Sequence, residues 1–171
     1  PSKDKWDYAC EPHFGNPNNQ TAFQLAVFND HLYAGTLNVN EGFEVWKTRG
    51  EGSPPYKWTR VLTQGAYRGK LNQVAMTFRE FNGHLYVGTT RGNFPFMKAR
   101  LPIGMDVWPV ECPEVPFDLD MRAEIWRYAP RDDRWERVHK APMIIGSHGK
   151  PIPRELGLRG MLVYDGRVDQ P

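Results

Sequence analysis

The sequence predicts an all-β chain built from four-stranded antiparallel units, and three observations carry that prediction. The first is an internal repeat: Val27–Thr36 reads VFNDHLYAGT and Glu80–Thr89 reads EFNGHLYVGT, with seven of ten positions identical at an offset of 53. The second is order: FEVWK (43–47) matches AEIWR (123–127), and YKWTRV (56–61) then matches DRWERV (133–138). The third is composition. With 16 Gly and 15 Pro in 171 residues the chain turns often, and its 13% aromatic content suits strands.

Each element follows from its residues. AFQLAVF (22–28) and VAMTFREF (74–81) are apolar and aromatic without helical spacing, so each reads as a first strand. Asn29-Asp30 and Asn82-Gly83 are tight hairpin signals, after which HLYAGT and HLYVGT return antiparallel. EVW and EIW make third strands; KWTRV and RWERV make fourth strands, across the turn-like GEGSPP (50–55) and APRDD (129–133). Four strands in about 40–50 residues is the spacing of a β-propeller blade. KWDYAC matches KWTRVL, so residues 5–10 read as strand four of a preceding blade. Complete blades then cover 22–61 and 74–138, the second carrying an insertion at 91–122. GMLVYDGR (160–167) matches a first strand and its turn, which places the first strand of a next blade at 158–165. Residues 1–171 thus read as a single partial propeller: two complete blades plus one strand at each end. Rings typically close with 4–8 blades, so the remaining blades are expected from a second chain or a C-terminal continuation. Two copies of this chain would leave orphan strands at each junction. The alternative is a different closed β-fold in which ten strands satisfy one another.

Two segments resemble known repeats. YAPRDDRWERVHKAPM (128–143) resembles the kelch segment in which a Tyr-x-Pro turn leads to a Trp, and EVWKTRGEGSPPYKWTRV (44–61) is similar to the degenerate Asp-box repeats of sialidase-type propellers. The Ser-x-Asp-x-Gly core of the Asp-box is absent, and Ala34-Gly35-Thr36 and Val87-Gly88-Thr89 stand in place of the kelch double Gly. The resemblance spans roughly residues 5–167 and implies propeller architecture. It also implies that a site lies on the face where strand four leads to the next strand one and strand two leads to strand three. It carries over no catalytic residue.

Composition narrows the function classes. Lys plus Arg is 22 and Asp plus Glu is 20, a balance that does not announce a nucleic-acid or membrane-surface partner. No apolar run approaches the ~20 residues of a membrane-spanning helix. Tyr33/Tyr86, Trp46/Trp126 and Trp58/Trp135 recur at equivalent positions, and a residue needed by every blade is a packing residue; His31 and His84 recur likewise.

Function is expected where the repeats differ. Four segments reach the implied face: 11–20, 65–72, 145–157 and the insertion. From Gly88 to Glu124 is 36 residues, against 9 from Gly35 to Glu44, and the excess contains five prolines. The candidate ligand-binding residues are His13, Asn16, Asn19, Arg68, Lys70, His148, Lys150, Arg154 and Glu155. Basic residues outnumber carboxylates in 65–72 and 145–157, which favours a small anionic or polyhydroxyl ligand. No cofactor is identified. Cys10-x-x-His13 is a single ligand-like pair where structural zinc wants four ligands, so no metal is assigned. Cys10 and Cys112 are a candidate disulfide, since both fall on the implied face; a bond between them would imply an oxidising compartment outside the cytoplasm. The expected function is a ligand- or partner-binding propeller module. The alternative is part of an enzyme with its active site at the propeller mouth.

Overall fold

A computed structural model describes residues 6–90 and 119–164. Strands β1 (Thr21–Phe28), β2 (His31–Leu37), β3 (Val45–Thr48) and β4 (Thr59–Leu62) form one antiparallel meander. Strands β5 (Val74–Phe81), β6 (His84–Thr90), β7 (Glu124–Ala129) and β8 (Arg134–Lys140) form a second. Leu37 of β2 pairs with Val74 of β5 and joins the two units into one curled antiparallel sheet, a half-barrel. The fold is all-β and propeller-like, as the repeat predicts.

The repeat extends to backbone irregularities. The first pairing in each unit slips by one residue at the same place, between Ala22 and Gln24 and between Ala75 and Thr77. The last pairing slips between Val45 and Trp46 and between Ile125 and Trp126. Such bulges add local twist, and twist curls the sheet. Both hairpins turn through left-handed residues: Asn29 and Asp30 at φ 47° and 57°, Asn82 and Gly83 at 48° and 69°. That is the backbone for which Asn, Asp and Gly are suited.

The units meet across an apolar seam. A Cβ on Gly35 would lie 2.5 Å from Ala75 Cβ and 2.9 Å from the Phe78 ring, so only glycine lets β5 approach β2 this closely. Tyr33 packs against Tyr128 with ring centroids 6.1 Å apart, and the Lys47 ammonium lies 5.4 Å from the Tyr128 centroid. Lys47 donates to the Tyr128 hydroxyl at 3.2 Å, and that hydroxyl donates to Asp133.

The ends differ from the expectation. Residues 6–10 form no strand; the Ala9 carbonyl instead accepts from the Tyr56 amide and from Trp58 Nε1, each at 3.0 Å. Residues 158–164 form no strand either, and among the described residues no strand pairs with them. They are nonetheless placed as a first strand would be. Thr90 bridges to Gly157 as Leu37 pairs with Val74, and Leu158 lies over Gly88 as Ala75 lies over Gly35. A short hairpin of β9 (Met143–Ile145) and β10 (Pro151–Pro153) occupies the stretch read as a loop. The two prolines masked it, since proline is tolerated only at strand edges. Residues 91–118 of the insertion, with Cys112, lie outside the described residues, as do positions 5 and 165.

Candidate functional site

One polar network recurs at the same end of each unit. Glu44 and Glu124, with side chains only 3% and 0% exposed, open the third strands. Glu44 Oε2 accepts from Asn19 Nδ2 at 2.7 Å and Trp46 Nε1 at 2.9 Å, while Oε1 accepts from an Arg60 guanidinium N–H at 2.8 Å. Glu124 Oε2 accepts from Trp126 Nε1 at 3.0 Å and Asn72 Nδ2 at 3.4 Å, while Oε1 accepts from Arg137 at 3.2 Å. The backbone amides of Glu44 and Glu124 donate to Thr36 and Thr89 hydroxyls. A left-handed turn before each first strand caps the tryptophan. Phe14 (φ 56°) sits 5.5 Å from Trp46, and Tyr67 (φ 64°) sits 6.2 Å from Trp126. A buried carboxylate is stable only when its lone pairs are met, and here the same residue types meet them twice. This network belongs to the scaffold.

The two units part company around it. The second unit has Arg68, Asp120, Arg122 and Lys140 where the first has Gly15, Asn40, Gly42 and Thr63. All four charged side chains converge. Asp120 Oδ2 accepts from Arg68 at 2.7 Å and Lys140 Nζ at 2.6 Å, and Oδ1 accepts from Arg122 Nε at 2.8 Å. Arg68 also reaches Glu124 Oε1 at 3.3 Å. The hydrogen bonds to Asp120 hold the Arg122 guanidinium more firmly protonated than usual. Among the described residues, four cationic side chains thus meet two carboxylates at one end of the second unit.

The sequence-derived candidates divide among separate places. His13, Asn16 and Asn19 gather at the first unit. His13 Nδ1 lies 2.6 Å from the Asn19 carbonyl, and Asn16 Nδ2 donates to Glu41 at 2.9 Å and Glu44 at 3.3 Å. The hydrogen bond from Asn16, with one from Asn38 behind it, draws the Glu41 carboxyl below its usual range. Asn19 is buried and also accepts from Thr36 and Asn38, so it is a scaffold residue. Arg68 joins the Asp120 cluster, and Lys70 lies in the turn Gly69–Leu71 that follows. Arg154 and Glu155 pair with each other, and the Glu155 carbonyl accepts from the Ala123 amide at 3.0 Å. His148 and Lys150 are exposed around the turn between β9 and β10. The structure therefore gathers three of the nine at the first unit and brings Arg68 into the charged cluster.

Sequence reasoning missed Asp120, Arg122, Arg137 and Lys140. Aligning the units outward from FEVWK and AEIWR would have exposed Asn40/Asp120, Gly42/Arg122 and Thr63/Lys140 as changes of charge. Cys10 is half-buried, and burial raises its thiol pKa; its candidate partner Cys112 lies outside the described residues. Among the described residues no three His, Cys, Asp or Glu side chains gather to hold a metal, and no helix is long and apolar enough to cross a membrane. Compared with family models, curated proteins and solved structures, the chain matches none.

Proposed function

We propose that this chain is a partner-binding part of a β-propeller, which packs further blades against both outer faces of its two units. The carrying observation is a set of equivalent positions. Phe78, Leu85, Trp126 and Trp135 face the first unit and are buried, Phe78 to 5% exposure. Their counterparts are less covered: Leu25 is 54% exposed, and Leu32, Trp46 and Trp58 are half-buried. The occupant that matches this face is a blade whose second strand carries the aromatic and glycine positions of Tyr33 and Gly35.

The opposite face repeats the contrast. Phe28 and Tyr33 are buried beneath the second unit, whereas their counterparts Phe81, at 44% exposure, and Tyr86 border an apolar hollow of about 380 Å³ with Met161–Tyr164. Glu155 stands where Asn19 and Asn72 stand in the two units. Its Oε2 is buried without a hydrogen-bond partner, which suits a blade that presents a donor there. The enzyme reading draws on the charges around Asp120 alone.

A photo-reactive phenylalanine at position 25 of the native protein tests the proposal. The expected adduct is a strand-two peptide, from the same polypeptide or another chain. A monodisperse, cooperatively unfolding monomer of the 171-residue chain that gives no adduct would overturn it.

A further inference from the structure

We propose that the charged end of the second unit binds a small dianionic oxyanion, a phosphoryl group free or esterified. Three observations converge. The same end of the first unit is a hollow of about 320 Å³ lined by Gly15, Asn16, Glu41, Glu44, Arg60 and Thr63, the positions equivalent to part of the charged cluster. In the second unit the counterparts of Gly15 and Thr63 are Arg68 and Lys140, and the counterpart of the neighbouring Gly42 is Arg122. The scaffold does not require these cations, because the first unit keeps its Asn–Glu–Trp–Arg network without them.

The geometry suits an oxyanion. Asp120 anchors Arg68, Arg122 and Lys140 from one side, and Glu124 anchors Arg68 and Arg137. Side chains fixed in this way lose little further freedom when a ligand arrives. Each guanidinium carries five N–H donors in a planar fork, more than these contacts engage, and such forks match phosphoryl oxygens. Arg122 and Arg137 are 31% and 40% exposed, so their outer edges meet solvent. Among the described residues four cations meet two carboxylates, and that surplus of positive charge favours a dianion over a monoanion.

Calorimetric titration of the 171-residue protein with inorganic phosphate, phenyl phosphate and acetate at matched low ionic strength tests this. The expected result is saturable 1:1 binding of one or both phosphates, with acetate weaker by roughly tenfold or more. Arg122→Gln and Lys140→Met, each checked for an unchanged melting curve, should weaken phosphate binding by about tenfold. Arg131→Gln, in the turn between β7 and β8, should leave it unchanged. Non-saturating heats, equal binding of acetate, or equal loss in Arg131→Gln would each overturn the proposal. Failure of Arg122→Gln to fold leaves Lys140→Met to decide. Because the chain is titrated alone, the outcome is independent of blade assembly.

Discussion

The two units are built on one plan and differ in what surrounds them. Each holds a nearly inaccessible glutamate with an asparagine, a tryptophan and an arginine. The first strand of the second unit lies under the first unit, whereas the first strand of the first unit presents Phe23, Leu25 and Val27 to solvent. Among the described residues, the first unit's loop end has one cation, Arg60, beside Gly15, Asn16, Glu41 and Glu44; the second unit's carries four. What the repeat shares is what the fold needs. What one unit has added, or lacks, is where partners are to be sought.

The largest expected effect tests the shared part. Glu44→Ala and Glu124→Ala each strand buried or half-buried donors and should cost about 3–5 kcal/mol, read from urea unfolding. A small effect at one glutamate only would break the equivalence of the units.

Phe78→Ala and Leu25→Ala then sharpen the difference in burial. The first removes a buried ring from the seam and should cost about 3–5 kcal/mol. The second should change the stability of the chain alone by no more than about 0.5 kcal/mol. Equal losses would mean that the exposed face of β1 is already covered. Gly35→Ala places a methyl 2.5 Å from Ala75 Cβ and should cost about 1–3 kcal/mol by overpacking the same seam.

Alkali attacks the seam by a different route. Burial pushes the Tyr33 hydroxyl up to about 12 and raises that of Tyr128 as well. Both folded values exceed the ordinary tyrosine value of about 10, so the seam favours the neutral phenols. Their stabilisation is full below about pH 10 and is lost as the pH rises towards 12 and beyond. Tyrosinate absorbance should show these two titrating above the ordinary tyrosine value of about 10, and Tyr33→Phe should delay alkaline unfolding. The smallest effects belong to His148→Ala and Arg154→Ala. Both residues are exposed, and melting temperatures should move by the equivalent of no more than about 0.5 kcal/mol.

The meanders and their hairpins were legible in the chain, because strand period, turn residues and repetition are local signals. Val27–Thr36 beside Glu80–Thr89 was enough to place β1, β2, β5 and β6 within a residue or two. The polar candidates were less legible. Asn19, read as a ligand group on a loop, proves to be a buried support for Glu44, because only folding brings residue 19 against residue 44. Asp120 lies far from Arg68 and Lys140 in sequence, and no local pattern signals that the three side chains meet. The sequence by itself determined the strands of the two repeated units and the order in which they pair. Tertiary structure decided which apolar faces are covered and which charges share a carboxylate, since burial and Coulomb contact depend on distances in space that chain spacing does not encode.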